Sequence, residues 1–144
     1  MKEPNGLILA NGKRPDGVTI IPWARGKSLA WDATIPDTLA ASHLHQTSNI
    51  AGAAAEQASL SKLEKYAALS ESHIFVPVAI ETLGAWNTAG LKFVNELGRR
   101  TTAITGEPRE TVFLRQRISA AIQRGNAAAF IGSLPNKQSD VDCC

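Results

Sequence analysis

The stretch GKRPDGVTIIPWARGKSLAWDATIPD, residues 12–37, decides how the chain is read. Val18 to Trp23 and Ser28 to Thr34 are β-branched or aromatic runs separated by Ala24, Arg25, Gly26 and Lys27, a segment of hairpin-turn length. Asp16 stands at the mouth of this predicted hairpin and Asp32 inside its second strand. With a period of two, Leu29, Trp31 and Ala33 share one face, and Ala30, Asp32 and Thr34 the other. Pro15-Asp16-Gly17 is also a good turn sequence, in which aspartate hydrogen-bonds its own backbone. Aspartate is depleted in strands and costly to bury unpaired, so Asp32 reads either as a solvent-facing edge residue or as part of a site.

Outward from the hairpin, Pro36 ends the second strand, and an Ala-rich segment from about Asn49 to Ser70 predicts a helix with Leu60, Leu63 and Ala67 at helical spacing. Ile74 to Ile80 predicts a buried strand in which Pro77 favours an edge position or a bulge. Asn87 or Thr88 can cap a helix with Leu91, Val94 and Leu97 on one face, which Gly98 is expected to stop, leaving Arg99 and Arg100 at its end. After Gly106-Glu107-Pro108, Leu114, Ile118, Ala121 and Ile122 form one helical stripe, while Glu110, Arg117 and Arg124 form another. The expected architecture is a single α/β or α+β domain over residues 1–134, with a small sheet flanked by helices. Residues 1–16 form a loose arm in this reading, and 135–144 a polar, disordered tail.

Composition excludes little. The 144 residues are 44% hydrophobic and 19% charged, enough for a core, and a net charge of +2 permits a nucleic-acid partner without demanding one. Cys143 and Cys144 are the only cysteines, so no disulfide framework is expected, and a reducing compartment follows. No run approaches the ~18 apolar residues of a membrane span, and no signal-like segment follows Met1. An intracellular place, nuclear or cytoplasmic, is therefore expected, with no membrane partner.

Two carboxylates at one end of a hairpin can hold a divalent cation through hard oxygen ligands, with Mg²⁺ the natural candidate and Mn²⁺ next. The Pro15-Asp16 pair, fifteen further residues and then Asp32 resemble the motif of PD-(D/E)XK, or restriction-endonuclease-like, nucleases. The resemblance extends through GKRPDGVTIIPW, LAWDATIPDTLAASHL, KYAAL, FVPVAIETLGAW and ELGRR, in that order. Over roughly residues 12 to 132 these are similar to the C-terminal endonuclease-like region of retrotransposon reverse-transcriptase polyproteins.

That resemblance implies a restriction-endonuclease-like fold, nicking of target DNA, Asp16 and Asp32 as metal ligands, and a neighbouring reverse transcriptase region that this chain lacks. Thr34 stands where the family's lysine follows the second acid, so the resemblance assigns the catalytic lysine to the Lys65-Tyr66 pair. Lys62 and Thr34 are the alternatives. The helix and acidic residue that precede the motif in that fold are absent, or reduced to Glu3 and the Leu7 to Ala10 patch, so the fold is expected to be N-terminally truncated. A decayed or domesticated fragment that binds nucleic acid or protein without catalysis is the competing expectation.

Several other residues carry weaker signals. Arg14, Arg99, Arg100, Arg117 and Arg124, with Arg115, are candidate phosphate contacts, although arginines also make ordinary wet helix faces. His43 and His45 lack a third ligand and read as solvated loop residues. Trp23, Trp31 and Trp86 lie among apolar residues and read as core or interface anchors.

Overall fold

The computed structural model describes residues 12–135. The arm expected before Gly12 and the tail expected after Pro135, with Glu3, the Leu7 to Ala10 patch and both cysteines, lie outside the described residues. The chain runs β1 (Gly17–Val18), β2 (Leu29–Thr34), α1 (Leu44–Thr47), α2 (Ala53–Lys65), a 3₁₀ segment (Ala67–Glu71), β3 (Ile74–Ala79), α3 (Thr88–Thr105) and α4 (Glu110–Ser133). It is a mixed α+β domain. The sheet order is β1-β2-β3, with β1 antiparallel and β3 parallel to β2, so α2 is the crossover between the parallel pair.

The hairpin forms, but its first strand is shorter than expected. Thr19 N donates to Leu29 O at 2.8 Å, and Thr19 Oγ1 then accepts from Leu29 N at 2.9 Å, so a side chain replaces the next main-chain partner. Beyond it Ile20 is fully exposed and Pro22 has no N–H to give a ladder. The turn falls at Ala24 to Lys27 as the spacing predicts. Trp23 N donates to Lys27 O, Lys27 N donates to Ala24 O, and Arg25 and Gly26 both hold positive φ, the pattern of a two-residue hairpin loop.

The Ala-rich helix is split. Gly52, at φ 86°, precedes α2, and Tyr66, at φ −110°, ends it, so that 67–71 continues as 3₁₀ and α1 is a separate short turn. Leu60 and Leu63 do not form the buried stripe; they are exposed, and Ala54, Ala55 and Ser59 face inward instead. Small residues let α2 lie close to the sheet. Pro77 sits in β3 at an edge of the sheet, as its missing donor requires. Asn87 occupies the N-cap position of α3 without capping it: its side chain accepts from Ala79 N at 2.8 Å and donates to Pro77 O at 2.9 Å, covering the open edge of β3.

Gly98 does not stop α3. A Cβ there would lie 2.7 Å from the Thr111 Cα, so this glycine marks the close approach of α3 to α4, and the helix continues to Gly106 at φ 76°. Arg99 and Arg100 consequently lie within α3 rather than at its end. The stripe Leu114, Ile118, Ala121 and Ile122 of α4 lines, with Trp31 and Phe93, an apolar cavity of about 540 Å³ between the helices and the sheet; Ile122 is buried, Leu114 and Ile118 half-buried and Ala121 exposed. Trp23 and Trp86 line it too.

Candidate functional site

Gly17 pairs with Trp31 and Val18 with Ala30, so continuing the antiparallel register by one residue sets Asp16 opposite Asp32. Asp16 does not close its own turn. Its Oδ2 accepts from Ala33 N at 2.7 Å, pinning the start of the hairpin to β2 while the side chain stays exposed. Asp32 is the opposite case, 4% exposed and on the face of β2 turned toward α2. On that face Ala30, Tyr66 and Leu69 make a compact cluster that Val18 and Phe75 cover.

Lys62 and Tyr66 are four residues apart, so the last turn of α2 carries one above the other over β2. Tyr66, 1% exposed, donates its single hydroxyl proton to Arg14 O at 2.6 Å and stands 3.3 Å from Asp32 Oδ1, the weaker of the two contacts. Lys62 Nζ lies 2.5 Å from Asp32 Oδ2. This is a close charge contact on an enclosed oxygen that takes no directed hydrogen bond from the described residues. The remaining oxygen of the pair, Asp16 Oδ1, accepts no hydrogen bond from a described residue.

Lys65 Nζ stands 4.8 Å from the centroid of the Tyr66 ring. The Tyr66 side chain raises the Lys65 ammonium above the ordinary lysine range, partial desolvation opposes the rise, and the charges of Asp32 and Asp16 add to it. Both lysines named from the sequence therefore belong to this corner, in different ways: Lys62 touches a carboxylate, while Lys65 sits in the field of both. Thr34 borders the apolar cavity and makes no hydrogen bond to either aspartate.

The candidate nucleic-acid residues divide. Arg99 pairs with Glu96 through two bonds of 2.8 and 2.7 Å. Arg100 joins Glu96 at 2.8 Å, donates to Trp23 O at 2.9 Å and stacks 3.6 Å over the Trp23 ring, so it clamps the hairpin to α3. Arg117 and Arg124 are exposed on α4, and Arg14 contributes its carbonyl to Tyr66. His43 approaches Asp37 O at 3.3 Å at the start of α1 and His45 is exposed; among the described residues no three His, Cys, Asp or Glu gather as a metal cluster.

Glu81 is a residue the sequence reading missed. It is 1% exposed just beyond β3, and its Oε1 accepts from Ala54 N at 3.0 Å and Ala55 N at 3.3 Å, meeting the first turn of α2. A carboxylate there satisfies unpaired helix N–H groups and the positive end of the helix dipole. No local signal reveals this, because the partners lie 26 and 27 residues away. No protein-family model, no curated protein and no solved structure matches the chain.

Proposed function

We propose that this chain is a retroelement-derived, Mg²⁺- or Mn²⁺-dependent DNA endonuclease-like domain that hydrolyses phosphodiester bonds. The observation that carries the reading is the register that sets Asp16 opposite Asp32 beneath the Lys62–Tyr66 turn of α2. Asp16 Oδ1 and Asp32 Oδ2 are hard oxygen donors of the kind a small divalent ion takes along with water and phosphate, the second of them enclosed beside the Lys62 ammonium. A cation held there would polarise a phosphoryl oxygen and acidify a bound water. Tyr66 packs against the Asp32 carboxylate with its hydroxyl tied to Arg14 O, and the Lys65 ammonium, kept protonated, would offset charge developing on the phosphate.

In this reading Arg117 and Arg124, exposed on α4, are the phosphate contacts of choice, since Glu96 already engages Arg99 and Arg100. DNA is the proposed substrate, the reverse transcriptase region of a parent polyprotein the proposed neighbour, and a nuclear or cytoplasmic site the corresponding place. The purified chain with Mg²⁺ or Mn²⁺ should nick supercoiled plasmid, and chelation or Asp32→Ala should abolish the nicking. Intact supercoiled and single-stranded DNA, or equal cutting by the Asp32→Ala variant, would remove the catalytic reading. One observation favours the second reading, a non-catalytic module that binds nucleic acid or protein: Lys62 already neutralises Asp32.

A further inference from the structure

The Lys62–Asp32 contact raises a question that the two-acid site leaves open. A divalent ion bound to Asp32 must lie close to Oδ2, and the Lys62 ammonium stands 2.5 Å from that atom. Two cations cannot share so small a volume without strong repulsion, which the partly buried surroundings screen only in part. The alternative arrangement is open to the lysine and closed to the aspartate. Asp32 is in the middle of β2 with 5% of its side chain exposed, whereas Lys62 keeps 24% exposed on a flexible four-carbon stem near the end of α2.

We infer that Lys62 is a built-in counter-ion that occupies the cation position at Asp32 and is displaced toward solvent when a divalent ion binds. The inference rests on the cation-binding part of the proposed function and assigns the two lysines different work. Lys62 compensates the buried carboxylate of the ion-free protein. Lys65, held over the Tyr66 ring in the field of both aspartates, keeps its place when the ion arrives. The contact also explains how the Asp32 carboxylate remains buried: direct pairing with the Lys62 ammonium compensates its charge.

The test measures Mn²⁺ binding to the whole chain by titration calorimetry, for the natural sequence, Lys62→Met and Asp32→Asn. Lys62→Met should bind Mn²⁺ at least about tenfold more tightly, because the competing charge is gone, and Asp32→Asn should lose binding. Binding by Lys62→Met alone would overturn displacement, since it would show a lysine that blocks the site and does not yield to the ion. If the natural chain binds and Lys62→Met binds no more tightly, the counter-ion role is overturned while the cation site stands. If neither binds, the cation site itself is wrong and the inference falls with it.

A measurement on the natural chain decides the matter should Lys62→Met fail to fold. The rate of amine acylation at Lys62, read by peptide mass spectrometry against exposed Lys92, should rise severalfold at saturating Mn²⁺. An unchanged Lys62 rate at saturation, or no saturable Mn²⁺ binding by the natural chain, would overturn displacement.

Discussion

The two faces of the small sheet are built on opposite principles from the same two strands. Toward α2, β2 presents Ala30 and Asp32, and the layer above answers with Tyr66 and Lys62, so that the interior contains a buried carboxylate and its counter-charge. Toward α3 and α4, β2 presents Trp31 and Ala33, which border an apolar cavity of about 540 Å³ with Phe93 and Leu114. The difference teaches where cohesion and chemistry lie. The α2 face combines the buried Ala30, Tyr66 and Leu69 cluster with a costly charge that packing alone would not retain, whereas the aromatic face leaves a cavity and joins its helices by close approach at Gly98.

The largest expected break in this contrast is on the charged face. Lys62→Met should lower unfolding free energy by about 3 kcal/mol, the low end for a buried pair because Lys62 is partly exposed. Asp32→Leu combined with Lys62→Met should restore most of that loss, since an apolar pair of similar volume removes the unpaired charge. Urea unfolding of the three proteins checks this, and a double variant weaker than the single one would show that the face depends on charge for its packing.

The apolar face should break by overpacking instead. Gly98→Ala places a Cβ 2.2 Å from Thr111 Oγ1 and 2.7 Å from Thr111 Cα, which only a separation of α3 from α4 can relieve. A loss of about 2 kcal/mol is expected in thermal or urea unfolding. Nicking or Mn²⁺ binding measured below the melting temperature should change little, because Gly98 lies in the layer away from Asp32. A Gly98→Ala protein as stable as the natural one would mean that the helices are not in the close register described.

The smallest effect belongs to the rim that joins the two regions. Arg99 and then Arg100 hold the Glu96 carboxyl at about 2, below its ordinary 4.5. A depressed carboxylate contributes stability that is present above pH 4.5 and is lost as the pH falls through 2. Glu96→Gln should therefore lower the urea midpoint slightly at pH 7, where the contribution is fully present, and converge with the natural chain by pH 2, so that its acid limb is flatter; the effect is small because the pair is solvent-screened. An acid limb identical to that of the natural chain would remove Glu96 from the clamp between α3 and Trp23.

Much of the local structure was legible. β-branched runs around Ala24 to Lys27 announced the hairpin, Pro77 announced an edge, and the 3.6-residue stripe of Leu114, Ile118 and Ile122 announced the inner face of α4. The misses share a cause. Gly98 reads locally as a stop and Leu60 as a core residue, yet both roles depend on which neighbour approaches, and that neighbour comes from elsewhere in the chain. The tyrosine of the Lys65-Tyr66 pair turned out to be the buried centre of the charged face, with Lys62 rather than Lys65 in contact with Asp32.

By itself the sequence determined the alternation that sends Asp32 and Trp31 to opposite faces, because a strand has a period of two whatever surrounds it. It also determined that Lys62, Lys65 and Tyr66 stand within one helical turn. Only the tertiary structure decided that Asp16 reaches Ala33 across the hairpin, that Lys62 meets Asp32, and that Glu81 meets the start of α2. These contacts span 17 to 30 residues of chain. They follow from the packing of whole elements, which no local propensity encodes.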